Sequence, residues 1–189
     1  MRKVIYAMLV SADGFIENPA GSLDWSVPDT ELHQHFNDQE RGLGTILYGR
    51  RMYEIMSAFW PTADEDPQAP PVIREYARIW RAKPKIVFSQ TLPEVGWHAQ
   101  LFRGDLGAEI KRLKALPGGD MSVGGAALAA SFLQLGLIDE VYQYVHPVIL
   151  GGGKPMFTQL QEQIDLSLVE TRQFGSGVVL LHYALRGAA

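Results

Sequence analysis

Most of six short segments in this chain sit where an apolar run of β character stops and a helix or loop begins. They are Ser11-Ala12-Asp13-Gly14, Leu23-Asp24-Trp25-Ser26-Val27-Pro28, Gly49-Arg50-Arg51-Met52-Tyr53-Glu54, Phe88-Ser89-Gln90-Thr91-Leu92, Val123-Gly124-Gly125-Ala126-Ala127 and Gly151-Gly152-Gly153-Lys154-Pro155. Strands that alternate with helices in this way build an α/β sheet whose strand ends gather along one edge. In an open sheet that edge is where ligands bind. The pattern points to a nucleotide-binding enzyme with a site assembled from many strand ends.

At 189 residues the chain suits one α/β domain, 1–189, and is short for two. A formal net charge of −4 argues against nucleic acid or an anionic membrane as the main partner, since both reward basic surfaces. The absence of cysteine excludes disulfides, zinc–thiolate sites and thiol nucleophiles, and fits a cytoplasmic protein. The opening apolar run, Val4 to Val10, is too short to span a membrane and is followed by Asp13. It reads as the first strand.

Val4 to Ser11 is continuously β-prone, as expected of a strand buried on both faces. Glu17 to Pro28 reads as a loop. Asp29 or Thr30 caps a helix to about Leu43, with Leu32, Phe36 and Leu43 on one stripe. Thr45 to Tyr48 is a short strand, and Gly49 turns into a helix from Arg50 to about Phe59. After an acidic, Pro-rich loop, Val72 to Arg81 is a helix with Ile73, Tyr76 and Trp80 as its buried side. Lys85 to Ser89 and, more weakly, Trp97 to Phe102 are strands. Leu106 to Leu116 is a helix, Met121 to Val123 a strand, and Gly124-Gly125 opens an Ala-rich helix ending near Gly136. Three strands follow, Glu140 to Val148, Asp165 to Phe174 and Val178 to Arg186. The last two flank Gly175-Ser176-Gly177, a hairpin signal. The expected fold is a single α/β domain with a mixed, mostly parallel twisted sheet, helices on both faces and an antiparallel C-terminal hairpin.

Gly124-Gly125-Ala126-Ala127 lets backbone N–H groups approach a pyrophosphate at a helix N-terminus. The same residues also suit a plain strand-to-helix turn. Adjacent Arg50 and Arg51 sit badly with the positive end of a helix dipole unless an anion is bound there, although solvated side chains are the other reading. Ser89, at a strand end, either joins those arginines on one phosphate or shapes a turn. Gly151-Gly152-Gly153-Lys154 resembles a phosphate loop, but Pro155 stands where the Walker pattern needs Ser or Thr, which rejects NTP hydrolysis. Gly152, Gly153 and Lys154 can still approach a phosphorylated substrate. His33 and His35 point to different helix faces, and His98, His146 and His182 are scattered, so no metal site is expected. Without a Gly-x-Ser-x-Gly elbow a hydrolase has no support.

In this order and spacing, the segments resemble the dihydrofolate reductase fold superfamily, and within it the branch of the reductase domain of riboflavin biosynthesis (RibD C-terminal-like). The cues to the branch are Ser11-Ala12-Asp13-Gly14-Phe15-Ile16, Ser122-Val123-Gly124-Gly125, Leu137-Ile138-Asp139-Glu140 and Pro147-Val148-Ile149-Leu150-Gly151-Gly152-Gly153. The resemblance implies NADPH as hydride donor. It assigns Arg50 and Arg51, beside Gly49, with Ser89 to the adenosine 2′-phosphate. It assigns Val123, Gly124, Gly125, Ala126 and Ala127 to the pyrophosphate, and backbone near Ala7 to the nicotinamide. Leu23–Pro28 resembles the mobile loop over the ring, with Trp25 as a lid residue or else a core aromatic. Of the carboxylates, Asp13 fits the branch, while Asp29 and Glu31 lie near the acidic residue of dihydrofolate reductases without matching its register, and Thr30 stands in that residue's place. Asp13 otherwise stabilises a turn, and Asp29 otherwise caps a helix. A stand-alone reductase-like protein without a deaminase domain is expected. The expected activity is NADPH-dependent reduction of a pteridine- or pyrimidine-type small molecule. The alternatives are dihydrofolate reductase activity or non-catalytic nucleotide binding. A homodimer is expected, with Val141 to Leu150 and Val178 to Leu185 offering surface.

Overall fold

A computed structural model describes residues 1–158 and 160–186, so residue 159 and residues 187–189 of the expected domain lie outside the described part. Its frame is an eight-stranded sheet. In chain order the strands are β1 (Val4–Ser11), β3 (Thr45–Gly49), β4 (Lys85–Phe88), β5 (Ala99–Phe102), β6 (Met121–Gly124), β7 (Glu140–His146), β9 (Leu166–Gln173) and β10 (Val179–Leu185). Their spatial order is β5-β4-β3-β6-β1-β7-β10-β9. All pairings from β5 across to β7 are parallel, whereas β10 runs antiparallel to both β7 and β9. The mixed sheet with its C-terminal hairpin is as the sequence implies. The turn at Gly175-Ser176-Gly177 is closed by Phe174 N–H donating to Val178 O at 2.9 Å.

The winding places the site. The chain moves outward from β1 through β3, β4 and β5. It then returns as β6 to fill the gap beside β1, and crosses to β1's other side as β7. A sheet that reverses direction like this opens a crevice at the carboxyl ends of the strands on either side of the reversal. Helices α1 (Thr30–Gly42), α2 (Arg50–Phe59) and α3 (Pro71–Ala82) cover one face, over Leu9, Ile46, Tyr48, Val87 and Tyr144. Helices α4 (Leu106–Ala115) and α5 (Ala126–Gln134) cover the other, over Val4, Tyr6, Leu47, Met121 and Val123.

Three local expectations are corrected. Although β1 is central, Ala7, Met8 and Leu9 are only half-buried, so the strand is not sealed on both faces. On α3 the buried residues are Val72, Ala77 and Trp80, with Ile73 and Tyr76 only partly covered. The phase differs because α3 lies against α1 as well as the sheet: Asn37 Nδ2 donates to Val72 O at 2.9 Å. The loop expected over Glu17 to Pro28 loses Glu17 to an unexpected small second sheet, β2 (Phe15–Glu17) with β8 (Lys154–Pro155), and holds a single 3-10 turn at Asp24–Ser26.

β7 and β10, the strands expected to offer a dimer surface, lie inside the sheet, and the edge strand on that side is β9, where Leu168 and Val169 are exposed. Among the described residues no helix is long and apolar enough to cross a membrane.

Candidate active site

Two helices begin side by side at the carboxyl edge of the sheet. β3 runs into α2 through Gly49, and β6 runs into α5 through Gly124 and Gly125. Neither has a side-chain cap, nor does α3, which starts on Pro71, whereas α1 and α4 are capped by Asp29 and Asp105, which accept from Leu32 N and Ala108 N. The first-turn N–H groups of a helix have no partner within it, so two adjacent uncapped starts present a cluster of free donors with positive dipole ends. Gly125 has φ +105°, a conformation side chains rarely adopt, and a Cβ on Gly124 would meet the Tyr48 ring at 2.8 Å. The pair is thus required by the turn itself. It also leaves the α5 N-terminus bare, with Val123, Ala126 and Ala127 around it. Gly49, with φ −78°, is needed for neither reason, and its Cβ would make ordinary contact with Leu128.

The two arginines do not converge. Arg50 reaches towards β4, its NH1 donating to Thr91 Oγ1 at 3.2 Å. Arg51 turns the other way, its NH2 3.0 Å from Glu17 Oε2, and Lys154 Nζ lies 3.7 Å from Glu17 Oε1. The three residues assigned to one phosphate, Arg50, Arg51 and Ser89, are thus not brought together on one point. Consecutive helical residues point about 100° apart, which explains the divergence. On the Arg50 side, Ser89 Oγ accepts from Thr91 N and Leu92 N at 3.2 and 3.1 Å, leaving its own hydroxyl proton to donate. Arg103, which the sequence did not single out, braces this turn through Ser89 O and Leu92 O.

At the β1–β7 end the carboxylates are engaged. Asp13 accepts from Ser11 Oγ at 2.7 Å, from Leu150 N at 3.1 Å and from Gly151 N at 2.7 Å. The Ser11 hydrogen bond, then those from Leu150 and Gly151, hold its carboxyl below the usual range. Asp13 thus ties the end of β1 to the glycine loop, a more distant partner than a local turn would give. Asp29 is the α1 N-cap. Glu31 Oε2 accepts from Gly175 N at 2.8 Å, and its Oε1 lies 3.7 Å from Arg172. In the glycine loop, a Cβ on Gly153 would fall 1.9 Å from Glu17 O, so this glycine is needed where β8 meets β2. Gly152 has open space around it apart from Pro19.

Trp25 and His146 form the remaining feature. Their rings meet edge to face with centroids 5.5 Å apart, beside a pocket of about 220 Å³. Neither Trp25 Nε1 nor His146 Nε2, both buried, has a hydrogen-bond partner. Burial lowers the His146 pKa, favouring the neutral ring. From the sequence His146 was one of the scattered histidines; only its register opposite Ser11 brings it here. Among the described residues no group of three or more His, Asp or Glu is placed to hold a metal ion.

The arrangement can hold an extended ligand with anionic groups at the helix starts and a ring over the half-covered part of β1. The chain resembles known proteins along nearly its whole length. The model of the RibD C-terminal domain matches residues 2–180. The uncharacterized protein YyaP of Bacillus subtilis is 37% identical over 187 residues, 98% of this chain and 96% of its own. YwjB of the same organism is 29% identical, over 96% and 97% of the two chains. Among solved structures, a putative riboflavin biosynthesis protein from Shewanella sp. PV-4 superposes with a TM-score of 0.77 at 25% identity, over 97% of this chain and 99% of that one. A Thermotoga maritima deaminase/5-amino-6-(5-phosphoribosylamino)uracil reductase shares the fold, with a TM-score of 0.65 at 16% identity over 97% of this chain and 56% of its own.

Proposed function

This chain belongs to the RibD C-terminal domain family, and on that premise we propose that it is an NADPH-dependent reductase of a pyrimidine- or pteridine-type heterocycle. The observation that carries the reading is the pair of adjacent, uncapped helix N-termini at α2 and α5, beside the half-covered centre of β1. Their free N–H groups suit a pyrophosphate, and the glycines keep Cβ atoms out of its way. Arg50, with the Ser89 hydroxyl, is the better placed of the two arginines for an adenosine 2′-phosphate, beside the Ser89–Leu92 turn. Arg51 and Lys154 flank Glu17 towards β1, where they suit the pyrophosphate or a phosphate on the acceptor.

When bound, the nicotinamide supplies the hydride, and the protein has to align donor and acceptor and exclude water. Backbone at Ala7 would face the ring, and Trp25 on its 3-10 turn would close over it. Asp13 fixes the glycine loop against β1 and so sets the depth of the acceptor side. The three nearby carboxylates each accept from a backbone N–H, at Leu150 and Gly151, Leu32, and Gly175. This favours a hydride-transfer enzyme that leaves protonation to solvent over dihydrofolate reductase activity, which relies on a carboxylate beside the pterin. A dimer in the cytoplasm is part of the same proposal.

The test is NADPH oxidation followed at 340 nm with 5-amino-6-(5-phosphoribosylamino)uracil and with dihydrofolate as acceptors. Faster turnover of the pyrimidine supports the reading. Turnover of dihydrofolate alone favours the folate alternative, and no oxidation with either, despite tight NADPH binding, favours a non-catalytic nucleotide-binding protein.

A further inference from the structure

The outermost strands of the sheet, β5 and β9, meet solvent in different ways. β5 has four residues, of which only Gln100 is exposed. β9 has eight, and all of residues 168–173 are exposed. An edge strand presents unpaired N–H and C=O groups, and chains usually blunt it by shortness, proline or lysine. β9 is long and contains neither proline nor lysine. Its one irregularity, a bulge that leaves Val169 without a partner on β10, lies to one side of Thr171. Leu168 and Val169 add two large exposed apolar side chains to this open edge.

The charges on β9 select what can pair with it. Glu170 and Arg172 are two residues apart, so they share a face of the strand. Arg172 is held in place, its guanidinium 4.6 Å from the centre of the Phe174 ring and its NH2 3.7 Å from Glu31 Oε1. The Glu170 carboxylate has no hydrogen bond or ion pair among the described residues. When a strand pairs antiparallel with a copy of itself, the residue before the symmetry axis lies opposite the residue after it. An axis at Thr171 therefore sets Glu170 opposite Arg172 in both directions, with Val169 opposite Gln173. An axis at Glu170 or at Arg172 would set like charges directly opposite, which is unfavourable. The charge pattern thus matches β9 to a second β9, in one register.

We propose that β9 is the interface of a symmetric homodimer, in which residues 169–173 of one copy pair antiparallel with the same residues of a second copy about an axis at Thr171. The two sheets join into one, Glu170 meets Arg172 twice across the junction, and Leu168 and Val169 are drawn from solvent beside it. The interface rests on the functional reading only for the expectation of a dimer. β9 is the third strand out from β1, on the side away from β6 and β3, which lead into α5 and α2.

The test is sedimentation equilibrium of wild type, of Glu170→Arg and Arg172→Glu each alone, and of the two variants mixed in equal amounts. Wild type is expected at twice the monomer mass. Either reversal sets two like-charge pairs across the axis and should weaken dimerisation roughly 100-fold, leaving monomers with a native circular dichroism spectrum. The mixture should regain the dimer, because one copy then carries two positive charges on this segment and the other two negative. A local folding defect would not be cured by mixing. A monomeric wild type, reversal variants that remain dimers, or a mixture that stays monomeric would overturn the interface. If Arg172→Glu, beside Glu31, does not fold, Thr171→Cys carries the test. The chain has no cysteine of its own, so the two new thiols on the axis should cross-link under oxidised glutathione, and adding Glu170→Arg should suppress the cross-link. No covalent dimer, or one indifferent to Glu170→Arg, would refute the register. Absence of NADPH binding by wild type would instead overturn the reductase reading, and sedimentation would still decide the interface.

Discussion

The two edges of the sheet are finished differently. At the edge where the parallel strands begin, charges are met by protein. Arg2 donates to Gly119 O at 2.6 Å and Thr45 Oγ1 at 2.8 Å, and Lys3 Nζ lies 2.5 Å from Glu140 Oε1. Lys114 Nζ lies 2.7 Å from Asp139 Oδ2, which also accepts from Val4 N. At the edge where those strands end, two helices start without side-chain caps, and Trp25 and His146 each keep a buried nitrogen without a partner. The first edge closes the fold on itself. The second leaves the first-turn N–H groups of α2 and α5 without side-chain caps. An edge that only held the fold together would be satisfied internally, as most of the first is, Glu40 Oε1 being its exception.

Substitutions on each edge can separate the two roles. The largest effect is expected of Asp139→Ala, which strands the buried Lys114 ammonium and the Val4 N–H. It should cost about 3–5 kcal/mol in urea unfolding while the folded fraction binds NADPH normally. Weakened cofactor binding at unchanged stability would erase the distinction between the edges. Gly125→Val, at φ +105° on the opposite edge, should reduce affinity for NADPH and NADH alike by roughly 100-fold, about 2.7 kcal/mol. Normal affinity in a variant with a native circular dichroism spectrum would remove the pyrophosphate role.

Asp13→Asn keeps the size of the side chain but replaces one acceptor oxygen with a donor, so Leu150 N and Gly151 N cannot both be served. Turnover should fall about tenfold with little change in NADPH affinity, as suits a charge-assisted tether; an unchanged rate would make Asp13 a loop residue only.

The smallest effect concerns an exception on the closed edge. Glu40 Oε1 is buried without a partner, and burial pushes the Glu40 carboxyl up to about 7 despite Lys83 and Lys85. The unfolded chain releases that proton near 4.5, so the folded state binds more protons between these values. Stability should therefore fall as pH climbs from 4.5 through about 7, and stay lower above it. Glu40→Gln lacks this loss. It should be about 1–2 kcal/mol more stable than wild type at pH 8, with the gap narrowing towards pH 5 in thermal melts. A constant gap would mean that Glu40 does not titrate in this range.

What the sequence revealed follows from how local each signal is. The start of α2 at Arg50, the turn at Gly124-Gly125 and the hairpin at Gly175-Ser176-Gly177 depend on neighbouring residues, and each lies where its spacing implies. The β2–β8 pairing joins Phe15 to Pro155 and Glu17 to Lys154. Strands this short carry no periodicity, and nothing near Glu17 announces Lys154 as its neighbour. The same holds for His146, which becomes a site residue only through its register with Ser11 and the edge of Trp25. Arg50 and Arg51 were legible as a cationic pair, but their divergence depends on which neighbour each finds. Asp13 was legible as a residue of interest, whereas its hold on Leu150 and Gly151 depends on a loop far along the chain.

We propose that the open edge is a cofactor site with its 2′-phosphate position at Arg50. The direct test is calorimetric titration of NADPH and NADH into wild type, Arg50→Ala and Arg51→Ala. Saturable binding with clear NADPH preference is predicted for wild type. The preference should fall about tenfold in Arg50→Ala, as for loss of a charge-assisted contact, while Arg51→Ala should weaken both cofactors and leave their ratio intact. Binding of neither cofactor by wild type would contradict the account, and an equal loss for both in Arg50→Ala would contradict its placement of the 2′-phosphate.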